Sequence, residues 1–192
     1  MQPLLIYIHG FNSSPLSLKA QTMVTWCRTH RPDIRLEVPQ LPSYPQAAAT
    51  YLDTLIRPLL ATHQVGLVGS SLGGYLSTWL NARYGIPAVL INPAVKPYEL
   101  LVDYLGEQVN PYTQEVYTLT SAHIDELKAL DVVDLDYTER LWLLQQEGDE
   151  VLDYRQAVSK YAACQQTVEP NGDHSFVGFE RYPSEIIRFL GL

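Results

Sequence analysis

Positive charge is scarce in this 192-residue chain: 13 Lys and Arg stand against 21 Asp and Glu, a formal net charge of −8. Neutralising a phosphate backbone needs a basic face, and no Lys/Arg cluster supplies one, so nucleic-acid binding is excluded as the main task. Cysteine is scarcer still. Cys27 and Cys164 form no CxxC or zinc spacing and sit among small or apolar neighbours, so both read as reduced core residues. No apolar run reaches the roughly 18 residues that a membrane span requires. The first ten residues, Met1 to Gly10, lack a basic leader and end in a His-Gly turn, so they read as a strand and not as a signal peptide. These features predict a cytoplasmic protein. No H-E-x-x-H, no carboxylate cluster with ligand spacing, no Walker loop and no G-x-G-x-x-G occurs, so neither a metal nor a cofactor is expected. Internal repeats and low-complexity tracts are lacking too.

What is present is an ordinary globular balance, 46% hydrophobic and 18% charged. The length suits a single domain over 1–192 that buries about 70% of its unfolded surface. Short apolar runs alternate with helical periodicity, which predicts a mostly parallel sheet of about six strands covered by helices. The expected strands are Leu4–Ile8, Ile34–Val38, Val65–Gly69, Ala88–Ile91, Leu141–Gln145 and Gln166–Glu169. Leu16, Ala20, Met23, Val24 and Cys27 share one helical face. Leu52, Leu55, Ile56 and Leu59 mark the next helix, cut short at Pro58. Further helices are expected over Leu72–Tyr84, closed by Gly85, over Tyr154–Ala163 and over Pro183–Leu190. The rhythm breaks between about 92 and 136. That stretch reads as a helical, lid-like insertion, with helices over Tyr98–Leu105 and Ser121–Leu130 and no strand between them.

Gly69-Ser70-Ser71-Leu72-Gly73 places G-x-S-x-G between a strand and a helix. Glycines two before and two after a serine relieve the crowding of a sharp turn that lifts its hydroxyl above the sheet, so Ser71 is the candidate nucleophile. It needs a base. His174 lies in a turn-rich loop after the last strand, at the sheet edge where Ser71 sits, whereas His30 and His63 face the other edge. His123 falls on a helix of the insertion and reads as an exposed surface residue. Asp149 follows a strand and a glycine turn and is the first candidate acid, with Asp153 as the alternative, better suited to capping the next helix. Asp173, beside the histidine, reads as a turn residue. Two backbone N–H groups, of Phe11 and Leu72, are expected to form the oxyanion hole, with His9 structural.

The His9-Gly10-Phe11 loop, the Gly69–Gly73 elbow, the Gly148-Asp149-Glu150 turn and the Gly172–Phe176 loop together resemble the α/β-hydrolase superfamily. The Ile8–Ser14 start and the compact length resemble the small bacterial YqiA-type esterases in particular. The resemblance implies a cofactor-free Ser-His-Asp hydrolase of small-molecule carboxylic esters or acyl thioesters. Unlike larger members, the chain begins directly on the first central strand. Tyr98, Leu101 and Tyr104 of the insertion are candidates for an acyl pocket. A peptidase or acyltransferase using the same residues, or a binding or regulatory protein on the same fold, remains an alternative.

Overall fold

The computed structural model describes all 192 residues. Strand β1 (Gln2–Ile8) is followed by helix α1 (Leu18–His30), β2 (Arg35–Glu37), α2 (Pro45–Ile56), β3 (His63–Ser70), α3 (Leu72–Tyr84) and β4 (Ala88–Ile91). Then come α4 (Pro97–Leu100), a hairpin of β5 (Gly106–Val109) and β6 (Val116–Leu119), and α5 (Ser121–Ala129). Strand β7 (Leu141–Gln146), α6 (Tyr154–Lys160), β8 (Gln165–Glu169) and α7 (Pro183–Leu190) complete the chain. Six strands form one sheet in the order β2-β1-β3-β4-β7-β8, and every pairing within it is parallel. The single parallel sheet covered by helices is the architecture expected from the sequence.

Both faces of a parallel sheet are covered, so its strands are apolar throughout. Leu4, Ile6 and Ile8 of β1 point into a core with α2, α3 and α5, while Leu5 and Tyr7 point into a second core with α1 and α7. The register brings the strand ends level. Ile8 pairs with Gly69, Ser70 with Ile91, Ile91 with Leu144, and Gln146 with Glu169. The loops that follow β1, β3, β4, β7 and β8 therefore leave from one edge.

Two local expectations change. Leu16 lies outside α1 and is exposed, because its N–H is taken by Ser14 Oγ at 2.9 Å and the chain is still turning there. The insertion is not purely helical. Its first helix is a single α-turn over Pro97–Leu100 continued as a 3-10 turn over Leu101–Tyr104, and the antiparallel β5–β6 hairpin follows. The hairpin loop is closed by Asn110, whose buried Oδ1 accepts the N–H groups of Tyr112 and Thr113.

Candidate active site

Ser71 has φ 55° and ψ −118°, a backbone conformation costly for a residue with a Cβ. Packing enforces it. A Cβ on Gly69 would collide with Gly73 O and Ser77 Oγ, and one on Gly73 would collide with Ile8 O, so α3 starts directly against β1 and β3. The Ser71 N–H donates to Ile91 O at 3.1 Å, and Ser71 O accepts from Gly74, Tyr75 and Ala94. The strained residue is thus held on both sides by backbone bonds.

His174 Nδ1 lies 2.8 Å from Asp149 Oδ2. The Asp149 side chain is wholly inaccessible, and its Oδ1 accepts the N–H groups of Val151 and Leu152, each at 2.9 Å. A buried carboxylate needs such partners. Oδ2 is left for the imidazole, which donates Nδ1–H and so keeps Nε2 as an acceptor. The His174 N–H donates to Glu150 Oε2 at 2.9 Å, tying the His174 loop to the residue after Asp149. No hydrogen bond joins Ser71 Oγ to the His174 ring in this structure. Asp153 caps α6 and chelates Arg155, and Asp173 accepts from Ser175 Oγ at 2.5 Å.

Neither the Phe11 N–H nor the Leu72 N–H has a hydrogen-bond partner within the protein. Gly10 brings the first of these loops against the elbow. A Cβ there would lie 3.3 Å from Ser71 Cβ and 3.8 Å from its Oγ. Buried His9 holds the loop from below. Its Nε2 accepts the Leu41 N–H at 3.0 Å, and its Nδ1 donates to Gly10 O at 2.9 Å. Burial pulls the His9 imidazole below its ordinary range, outweighing the backbone bond to Gly10, and the neutral ring is the form that fits both contacts.

His123 differs from its expected exposure. It is half-buried, stacked on Tyr44 at 4.2 Å, and its Nδ1 accepts the Thr120 N–H in a capping box at the start of α5. Of the three insertion residues, Tyr104 packs edge-on against Phe11 with ring centroids 5.8 Å apart. Leu101 is buried in the core, and Tyr98 donates to Asp131 in a separate groove. Two cavities share the residues His9 to Asn12. One, about 430 Å³, is lined by Lys19, Tyr112, Glu150 and His174; the other, about 30 Å³, by Leu41, Tyr44, Leu72, Leu76 and Leu127. Lys19 Nζ donates to Ser175 O at 2.8 Å, and burial draws its ammonium down to about 8 against the pull of Asp173 and Asp149.

Sequence reasoning missed the polar residues that hold these loops. Asn92, directly after β4, and Gln146, the last residue of β7, are both buried and bonded through both ends of their amides. The available signal was a polar amide interrupting an otherwise apolar strand end.

The structure is similar to that of mouse alpha/beta hydrolase domain-containing protein 10, with a TM-score of 0.77 at 18% identity over 100% of this chain and 90% of that one. Est1E from Butyrivibrio proteoclasticus, solved with ferulic acid bound, superposes with a TM-score of 0.73 at 12% identity, covering 98% and 88% of the two chains. The esterase domain of a Rhodothermus marinus protein gives 0.69 at 18% identity, covering 100% and 90%. At the sequence level, the family model described as "Uncharacterised protein family (UPF0227)" matches residues 4–191. The chain belongs to that family, and its fold is that of the α/β hydrolases.

Proposed function

We propose that the protein is a serine hydrolase that cleaves carboxylic esters or acyl thioesters, with Ser71 as nucleophile, His174 as base and Asp149 as the acid that orients it. The observation that carries this reading is the His174–Asp149 bond, made by a fully buried carboxylate, with a strained serine at the same sheet edge. That the structural relatives include esterases supports the same chemistry.

In this reading Ser71 Oγ attacks the acyl carbon while His174 Nε2 takes its proton. The imidazolium so formed is stabilised by Asp149 across the Nδ1–H bond. The developing oxyanion is received by the two unpartnered N–H groups of Phe11 and Leu72. The C–O or C–S bond then breaks, and Nε2 returns the proton to the leaving alcohol or thiol. Water attacks the acyl-enzyme by the same route and releases the acid. A base that must hand its proton to the leaving group sits beside it, so the leaving group belongs in the larger cavity that His174 lines. The substrate is a small molecule, and the two unpaired cysteines, Cys27 and Cys164, suit a reducing compartment such as the cytoplasm.

A fluorophosphonate probe tests the assignment. It is expected to label the protein and not Ser71→Ala, with circular dichroism unchanged between them. Equal labelling of both proteins overturns Ser71 as the nucleophile.

A further inference from the structure

The turn Ile91-Asn92-Pro93-Ala94 touches all three elements of the candidate site. Its backbone grips the elbow: Ile91 O accepts the Ser71 N–H at 3.1 Å, and the Ala94 N–H donates to Ser71 O at 3.0 Å. Pro93 lies so close to α3 that a Cβ on Gly74 would stand 2.7 Å from its own. The Asn92 side chain reaches the other two elements. Its Nδ2 donates to Asp173 O at 2.9 Å and His174 O at 3.2 Å, while Oδ1 accepts the Gln146 N–H at 2.9 Å, three residues before Asp149.

Asn92 is 1% exposed and has φ 40°, a left-handed conformation that asparagine tolerates better than most residues. An amide is the side chain that suits this place. It must donate twice to carbonyls and accept once from an N–H within one buried site, and only Asn is short enough to do so from this turn. Gln146 completes the arrangement. Its Oε1 accepts the Asp173 and Val177 N–H groups, and its Nε2 donates to Val177 O and Glu169 Oε2.

We propose that Asn92 is a positioning residue: a hub that sets the distance between the Ser71 elbow and the His174 loop while fixing the end of the strand that carries Asp149. This rests on the serine-hydrolase reading above. Asn92 touches no reacting atom. It acts through the two carbonyls of the base loop, so its loss changes where His174 stands and not which groups are present.

The test uses Asn92→Gly, which keeps the positive φ and removes the amide, and Asn92→Asp, which keeps shape and Oδ1 but loses both donors. On one aryl ester, kcat is expected to fall about 10²-fold in each, as for misplacement of a catalytic group by about 1 Å, with KM within about twofold of wild type. In the proton NMR spectrum, the far-downfield signal of the hydrogen between His174 and Asp149 is expected in wild type and lost in both variants. A folded variant with wild-type kcat, or with that signal intact, overturns the proposal. Should both variants melt below the assay temperature, hydrogen exchange in the unaltered protein decides. Protection of the Gln146 amide and the Asn92 side-chain amide to the level of the central strands supports the hub, and exchange at loop rates overturns it. Ser71→Ala runs alongside: hydrolysis that survives there removes the serine-hydrolase reading itself, a result distinct from any failure of Asn92.

Discussion

At the scale of single residues, the two aspartates after β7 do different work within four positions of each other. Asp149 has a fully inaccessible side chain with one oxygen reserved for His174, whereas Asp153 binds the first turn of α6 and an exposed arginine. Replacing Asp149 by Asn would put an N–H₂ where an acceptor is needed and favour the wrong imidazole tautomer. In a comparable triad that change lowers kcat about 10⁴-fold. The Asp153→Asn variant keeps a capping oxygen and should lose well under the ~1 kcal/mol that a cap is worth. The expected outcome is a collapse of turnover with a nearly unchanged melting temperature in Asp149→Asn, and full turnover in Asp153→Asn. Steady-state kinetics and thermal melts of the two variants decide it, and the reverse pattern transfers the acid role to Asp153.

Elements of secondary structure were legible to the extent that burial dictated their pattern. The central strands are apolar on both faces, so β4 and the body of β7 stand out as runs, and α3 announces its end through Gly85 in a left-handed cap. The β5–β6 hairpin did not announce itself. Each strand has four residues, too few to establish a period of two, and Val109 and Val116 face solvent. The catalytic candidates could be ordered from glycines and loop position. Asn92 and Gln146 could not, because a polar residue at a strand end looks like the start of a solvated loop until the partners across the sheet edge are known. The insertion also separates two roles that composition alone merges. Leu101→Ala removes a core side chain and should destabilise by about 2–5 kcal/mol, lowering the melting temperature without changing substrate preference. Tyr104→Ala leaves a half-exposed position and should melt like wild type. Because Tyr104 braces Phe11, that variant should instead alter kcat/KM across a series of aryl esters of graded chain length. A matching stability loss in both variants would mean that Tyr104 serves only the fold.

For the molecule as a whole, β8 is an edge strand paired only with β7 and followed by the His174 loop, and a carboxylate at its end ties the chain on either side of that loop together. Glu169 accepts from Arg181 through both oxygens, from Tyr182 and from Gln146, and the arginine foremost holds its carboxyl well below the usual range, at about 2. A depressed carboxyl stabilises the fold fully above its unfolded pKa, near 4.5, and ceases to do so as the pH falls toward 2. Glu169→Gln should therefore lower the melting temperature at pH 7 and flatten its pH dependence between about 4.5 and 2, the two proteins converging at the acid end. Melts recorded across that range check the sign, and parallel curves would show that the carboxylate is no anchor. The order of the strands has a further consequence, for synthesis. The loop after β1 and the elbow after β3 emerge early from a ribosome, but the groups that would make Ser71 reactive arrive only with β7 and β8. Since chains fold from the N-terminus as they emerge, a nascent or truncated chain would carry the serine without its base, unable to attack the esters around it. Hydrolytic competence would then wait on the docking of β8 against β7 and of the loop that follows it.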